Sequence, residues 1–425
     1  MIHIHIGGAG VMIGDILWKL YHKEEPDMSY KHSIFEEVKN GYVPRALFVD
    51  LDDRMITQIK KNRNFHYHPS YLINSKEDGS NNYSKGYYTL GKDLHPKVEE
   101  QLRKLCEACD RVQQFIFTQS ICGGTGSGYQ SLLIHEISKN YNKTFQTGFS
   151  IYPSAKMNNN TVYPYNAMLS IHQLVEYYDA QVLFDNETMY QMLQNTIELD
   201  HFDYSHLNNL IAQTISSYTS INRFCNKNNE QILSTIVPYP RIQFITPSYG
   251  PLIDINDYKR NYLSQKQLLE YIFNRRSKLY QSEITPFNLA TSLISRGLNA
   301  DQIQKEHQNQ IYYHNYYEQK TNYFVSNQKN YSVLEQLTEI NQTQTLFSND
   351  LMIKRKLEKI GYDFDILYSK RAFTFWFVGE GLESGELSEC RENFEQLMMD
   401  YQNLLKIDDD IDEDISNESY DSQLS

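Results

Sequence analysis

Ile2, Ile4 and Ile6 alternate with His3 and His5, the two-residue period of a strand, and the next apolar positions, Ile13, Ile16, Leu17 and Leu20, recur at the spacing of a helix face. The cluster Gly7-Gly8-Ala9-Gly10 between them supplies a tight turn, so the chain opens as strand, turn, helix. Arg45-Ala-Leu-Phe-Val49 predicts a second strand that runs into the acidic stretch Asp50-Leu51-Asp52-Asp53. Val98, Leu102, Leu105, Cys106 and Cys109 mark one face of a helix, and Phe115-Ile-Phe117 a third strand. Strands and helices alternating in this way predict an α/β fold with a mainly parallel sheet covered on both faces.

Leu207, Leu210, Ile211, Thr214, Ile215, Tyr218 and Ile221 predict a long helix over 204–224, about six turns at 3.6 residues each and a plausible spine between two domains. Pro238-Tyr-Pro240 breaks the pattern, and the chain from there to about residue 350 reads as irregular. Within it, 299–350 is rich in Asn, Gln and Tyr and poor in aliphatics. Leu387, Cys390, Phe394, Leu397, Met398, Tyr401 and Leu404 restore a clean stripe, an outer helix packed by one face.

Apolar residues make up 40% of the 425 positions, with 34 Tyr and 20 Phe, enough large side chain for a buried core of two or three units. The net charge of −13 is concentrated at one end: Lys406–Ser425 carries eight acidic residues against one lysine. That stretch has no apolar period and is expected to be disordered. A nucleic-acid binder needs a basic face, and none is evident. No apolar run approaches a membrane span, residues 1–14 do not resemble a secretory leader, and five cysteines are an odd set. The expectation is a cytoplasmic protein without membrane insertion.

The chemistry concentrates in Cys122-Gly-Gly-Thr-Gly-Ser-Gly128, which follows a strand and opens a helix marked by Leu132, Leu133 and Ile137. Free backbone N–H groups and the helix dipole at such a start attract anions, the glycines allow close approach, and Thr125 and Ser127 add hydroxyls. There is no Gly-Lys-Ser/Thr ending, so this is not a Walker loop. The same pattern also describes a mere tight turn. The first turn and Asp50–Asp53 belong to the same carboxyl edge of the sheet, where open α/β folds place ligands. Asp52 stands where a carboxylate would orient magnesium or its waters, and is equally readable as part of a solvated acidic turn.

Several segments, in order and over nearly the whole chain, resemble the tubulin family. They are Thr118-Gln-Ser-Ile-Cys-Gly-Gly-Thr-Gly-Ser-Gly128, Val43-Pro-Arg-Ala-Leu-Phe-Val-Asp-Leu51, Asn81-Asn-Tyr-Ser-Lys-Gly-Tyr-Tyr-Thr-Leu-Gly91, Pro164-Tyr-Asn-Ala167 and Asp185-Asn-Glu187. Val237-Pro-Tyr-Pro-Arg241, Lys370-Arg-Ala-Phe373 and Val378-Gly-Glu-Gly381 are similar to the alpha chains. The resemblance implies a Rossmann-like GTPase domain at 1–203, a central helix at 204–224, an α+β intermediate domain at 225–350, C-terminal helices at 351–405 and the acidic tail at 406–425.

By the same resemblance, Gly8, Ala9 and Met12 lie under a guanine nucleotide, GTP or GDP, and Asp52 takes the place of a glutamate near Mg2+. Asp78, Ser80 and Asn81 touch the terminal phosphates, and Gly123, Gly124, Thr125 and Gly126 wrap them. Ser120 and Asn159 join this set, and Tyr163 stands where a ribose-binding glutamate is usual. Asn186 and Asn208 read guanine, and Tyr204 stacks on it; an amide presents both donor and acceptor, and the ring an apolar face. The family has Gln where this chain has Gly8 and Met12, and Gly where it has Cys122.

The loop after the central helix, Cys225-Asn-Lys-Asn-Asn229, is about three residues shorter than the family's. The position of the glutamate that promotes hydrolysis in the next subunit is Gln231, with Glu230 beside it, and a Gln accepts no proton at neutral pH. The implied partners are a beta-tubulin-like chain in a heterodimer, polymer neighbours, and motors or microtubule-associated proteins on the tail. The implied place is the cytoplasmic microtubule cytoskeleton, including a cilium or axoneme. A non-polymerising or capping regulator is the alternative, favoured by the short loop. A dinucleotide oxidoreductase, from Gly8-x-Gly10-x-x-x-Gly14, has a spacing one residue too long.

The remaining features read as structural. Cys106-x-x-Cys109 has no second pair and lies on an apolar stripe. His3, His5, His66 and His68 have no third ligand spaced for zinc. Trp376 reads as a buried strand residue.

Overall fold

The structure, a computed structural model, describes residues 1–25, 34–38, 41–61, 67–154, 160–196, 203–225, 229–252, 264–281, 288–297, 320–326, 331–333 and 342–421. The predicted strand and helix at the start are present, β1 (Ile2–Ile6) and α1 (Gly7–Glu24), but the glycine cluster expected as a turn between them forms the first residues of α1 itself. A short hairpin follows, β2 (Phe35–Val38) with β3 (Gly41–Pro44), then β4 (Ala46–Asp50), α2 (Asp53–Lys61) and β5 (Leu72–Asn74). Next come α3 (Leu90–Glu107), β6 (Gln114–Ser120), α4 (Gln130–Asn140), β7 (Phe145–Tyr152), α5 (Tyr163–Tyr177), β8 (Ala180–Asp185) and α6 (Asn186–Thr196). The six-turn helix is α7 (Tyr204–Cys225), followed by α8 (Glu230–Ile236) and β9 (Phe244–Gly250).

The stretch that reads as irregular contains α9 (Gln265–Phe273), β10 (Asn288–Arg296), β11 (Lys320–Ser326) and β12 (Thr343–Asp350). These strands continue the sheet, giving the order β11-β10-β12-β9-β8-β7-β6-β1-β4-β5. It is parallel from β5 across to β9, and β12 runs antiparallel to both its neighbours. Of 299–350, residues 299–319, 327–330 and 334–341 lie outside the described part.

Two apolar layers cover the sheet. Ile2, Ile4 and Ile6 face one with α3, α4 and α5, while His3 and His5 face the other, where α1 and α7 pack. The histidines are structural. His5 shares a hydrogen bond with Thr118 Oγ1 (2.6 Å) and accepts from Trp18 Nε1 (3.1 Å), and burial pushes its pKa down to about 3. His68 caps a short turn by accepting from the Ser70 N–H, and His66 lies outside the described residues. Cys106 and Cys109 are half-buried free thiols packed on the core.

The C-terminal part is α10 (Lys354–Ser369), α11 (Thr374–Gly379) and α12 (Glu386–Asp421). One expectation is corrected here. Trp376 is neither buried nor in a strand: Phe373 adopts a left-handed φ of 61°, α11 starts after it, only Phe377 turns inward, and Trp376 stays 50% exposed. The backbone of α12 continues as helix into the acidic segment, as far as Asp421.

Candidate functional site

β1, β4, β6 and β8 all end at one edge of the sheet, so the loops after Ile6, Asp50, Ser120 and Asp185 gather there. Gly7, at φ +71°, brings the first loop against the phosphate loop: a Cβ placed on it would sit 3.2 Å from the Gly126 N. The helix behind the phosphate loop begins with one π-helical turn, Thr125–Tyr129, with the Ser127 N–H donating to the Gly123 oxygen (3.1 Å).

The loop over residues 78–82 packs on the same glycines, closely enough that a Cβ on Gly124 would meet the Gly79 oxygen at 2.7 Å. Ser80 and Asn81 take left-handed φ values of 50° and 52°, a strained pair fixed by the Ser80 N–H donating to Asp78 Oδ1 (3.2 Å). Asn166, fully buried on α5, joins the two loops: its amide donates to the oxygens of Asn81 (2.8 Å) and Cys122 (2.9 Å), and its carbonyl accepts the Tyr83 N–H (3.0 Å). The sequence shows this residue only as part of a motif and gives no sign of that role. Burial pushes the Cys122 thiol up to about 12, so it packs as a neutral group.

Asp50 is the residue sequence reasoning passed over. It ends β4, is buried, lies next to Gly8, and receives the Thr125 hydroxyl and the Asp52 N–H. Burial pushes its carboxyl up to about 7. Asp52 is more exposed and already engaged by Arg54, through its N–H (3.1 Å) and its Nε (2.5 Å). Among the described residues no cluster of three or more His, Cys, Asp or Glu could hold a metal ion. Two carboxylates beside a phosphate cradle nevertheless suit magnesium, which takes one or two from protein and the rest of its shell from phosphate and water.

At the other end of the edge, Asn186 opens α6, Asn208 is buried on α7, and Tyr204 begins α7 with its ring 60% exposed, an open apolar face. Tyr163 is turned elsewhere, donating its hydroxyl to Asp363 on α10. Asn159 lies outside the described residues. Gly8, Ala9, Met12, Asp52, Asp78, Ser80, Asn81, Ser120 and Gly123–Gly126 thus come together, with Asn186, Tyr204 and Asn208 beside them.

Gln231 and Glu230 do not join this group. They begin α8, directly after Asn229, whose amide donates to Gln114 Oε1 (2.9 Å) at the first residue of β6 and reaches Met1 Sδ (3.7 Å). That is the opposite edge of the sheet, a seven-residue strand away, or roughly 23 Å at 3.3 Å per residue. Gln231 is exposed there and lines a cavity of about 1100 Å³ with Ile171, Val175, Pro238 and Phe394. Glu230's side chain is outside the described part.

A raised Asp50 pKa favours the empty fold below pH 4, and that contribution is lost as pH rises through about 7. A cation bound there reverses the preference by ionising the carboxyl. Binding of magnesium and nucleotide at pH 6 is therefore expected to release about one proton, and at pH 8.5 almost none. Calorimetry in two buffers of different ionisation enthalpy, with the nucleotide already saturated with magnesium, measures this, and Asp50→Asn should lower the release by about one proton.

A family model described as "Tubulin/FtsZ family, GTPase domain" matches residues 1–194. Among known proteins, the "Tubulin alpha chain" of Encephalitozoon cuniculi is 34% identical over 444 residues, covering 97% of this chain and 99% of that protein. The "Tubulin alpha-1 chain" of Arabidopsis thaliana is 34% identical over 435 residues (95% and 96%), and the "Tubulin alpha-2 chain" of Eleusine indica 33% identical over 449 (97% and 99%).

Proposed function

The chain belongs to the tubulin family, close to its alpha chains, and from that premise we propose that it holds GTP or GDP with Mg2+ at one pole and meets a beta-tubulin-like partner across that nucleotide. The carrying observation is the separation of the two halves of the reaction site. The glycine-rich loops lie at the carboxyl edge of the sheet, whereas Gln231 stands at the amino edge of the same subunit. No single chain brings them together, so a complete site forms only where one subunit's nucleotide pole meets another's α8 pole. Repetition of such a heterologous contact gives an open filament.

Surface chemistry at the two poles agrees with stacking. α11 presents Phe375 (66% exposed), Trp376 and Val378 beside the phosphate-touching loop, to which it is tied by Asn82 donating to the Trp376 oxygen (2.9 Å). The cavity beside Gln231, lined by Ile171, Val175, Pro238 and Phe394 together with Glu176, Asp179 and Arg241, offers a hollow at the other pole. With an amide at position 231, the nucleotide presented to that pole by a neighbour is held rather than rapidly cleaved. The acidic helix end, with its eight carboxylates, serves motors or microtubule-associated proteins as a polyanion. The protein accordingly works in cytoplasmic microtubules.

Nucleotide released by denaturing the purified chain tests the first part: guanine nucleotide supports it, and NAD or an empty site refutes it. Co-sedimentation with a beta-tubulin chain tests the second. Truncating an exposed aromatic anchor, Trp376→Ala, should weaken heterodimer formation roughly tenfold while leaving bound nucleotide in place. Analytical ultracentrifugation over a dilution series reads the change.

A further inference from the structure

Asp185, the last residue of β8, makes the turn into α6, whose first residue is Asn186. Its Oδ1 accepts the Glu187 N–H (3.0 Å) and its Oδ2 the Thr188 hydroxyl (2.9 Å), while its own N–H donates to the Leu279 oxygen (3.1 Å). The bond to Glu187 closes a ring of chain around Asn186. Whatever orients this carboxylate therefore fixes the backbone from which the Asn186 amide projects.

A carboxylate that caps a helix start needs no cation. One is supplied nevertheless, from a distant part of the chain: Lys356, 171 residues on, places Nζ 2.5 Å from Asp185 Oδ2 and 4.1 Å from the centre of the Tyr280 ring. Asp185 and Tyr280 are both buried, so the pair is less screened than one on open surface and its direction is better fixed. Lys354, Arg355 and Lys356 fill the first turn of α10 with positive charge, with no acidic residue there, against the dipole of that helix. Lys356 thus does its own helix no service, and its position is explained by what it reaches.

α10 is a firm support for that reach. Leu357, Ile360 and Phe364 are buried, and Phe364 packs edge-on against Tyr165 of α5 with ring centres 5.4 Å apart. Two turns beyond Lys356, Asp363 accepts the Tyr163 hydroxyl. The helix is pinned to the start of α5 as well as to the end of β8.

We propose that Lys356 is a positioning residue for base recognition: by holding the Asp185 carboxylate it sets the Asn186 amide, and through it the preference of this chain for guanine. This rests on the reading of the edge as a guanine-nucleotide site with Asn186 on the base.

Affinities of GTP and ATP for the nucleotide-stripped full chain test it, because the two ligands share ribose and phosphates and differ only in the purine that an amide reads. Lys356→Met removes the charge and keeps an unbranched stem over Tyr280. In it GTP affinity should fall roughly tenfold and ATP affinity less than about twofold, so the GTP-over-ATP ratio drops. A ratio unchanged, whether both affinities hold or both fall alike, means that Lys356 only stabilises the fold and overturns the proposal. Should Lys356→Met not fold, Thr188→Val decides instead, since it removes the other side-chain donor to the same oxygen with little change of shape. Its ratio should fall about threefold, and a ratio at the wild-type value overturns the proposal. A wild-type chain that binds GTP no better than ATP is a separate result: it removes the guanine reading, and the role of Lys356 with it.

Discussion

Gly126→Ala is expected to yield a chain that purifies without nucleotide, whereas Gly123→Ala, three positions earlier in the same loop, purifies with it. The contrast is steric. A Cβ on Gly126 would lie 2.3 Å from the Ser120 carbonyl oxygen and 3.2 Å from its N, backbone atoms at the end of β6 that cannot turn aside as a side chain does. A Cβ on Gly123 meets nothing nearer than Asn81 Oδ1 at 3.8 Å, ordinary contact. Overpacking of the first kind costs on the order of 3 kcal/mol, and the loop can relieve it only by moving the amides that cradle phosphate. Guanine nucleotide affinity should therefore fall roughly 100-fold in Gly126→Ala and less than about threefold in Gly123→Ala. Retained nucleotide, measured by chromatography after denaturation, and titration of the stripped proteins read both. Equal retention in the two variants would place the phosphates elsewhere.

The same loop shows what a sequence exposes and what it hides. Its position between strand and helix is legible from Phe115-Ile-Phe117 and Leu132, Leu133 and Ile137, because apolar periodicity reports burial on one face. The choice between Asp50 and Asp52 is not legible. Both sit in one acidic run, and only the fold shows Asp50 turned inward beside Gly8 while Asp52 is held by Arg54. β12 was hidden for another reason. Thr343–Asp350 is buried at every position yet mostly polar, so hydropathy reads it as loop. Only some of its polar side chains are answered internally, Ser348 Oγ by Thr246 Oγ1 at 2.9 Å and the Asn349 amide by the oxygens of Ile236 and Ile242, while those of Thr343, Gln344 and Thr345 are buried without a hydrogen bond. Trp376 misleads in the opposite sense, since an aromatic run suggests burial and the side chain is spent on a surface instead.

These cases share a cause: pattern reports which residues leave water, and says little about which partners meet them there. For the same reason a head-to-tail reading was available from resemblance, while its physical basis, the sheet that holds phosphate loop and α8 apart, required the register of β1 and β6.

A buried charge cluster, in which Arg223 pairs with Glu24 and Glu25 and Arg296 with Glu24, is the extreme instance, and it carries the other large effect. Glu24 and Arg296 are 272 residues apart and, in sequence, look like solvated surface charges. Burial by itself would push the Glu24 carboxyl up, but the guanidiniums of Arg296 and Arg223 outweigh it and hold the pKa below its ordinary value. Arg223→Met leaves Glu25 without its guanidinium partner and Glu24 with one instead of two, in a site with no exposure. Removing one member of such a network typically costs about 3–5 kcal/mol, so the thermal midpoint of a 425-residue chain should drop by roughly 3–6 °C. The sign with pH is fixed by the lowered carboxyl. Glu24 stabilises the wild-type fold above the usual glutamate range, and that stabilisation is lost as pH falls through its depressed pKa. In Arg223→Met the carboxylates lose an opposing charge, their pKa values rise, and acid relieves part of the damage. Melting curves at pH 7.5 and pH 5 should consequently show the gap between wild type and variant narrowing toward acid. A gap that stays constant with pH would mean that Arg223 acts through the packing of its stem on Tyr21 and Phe224 rather than through its charge.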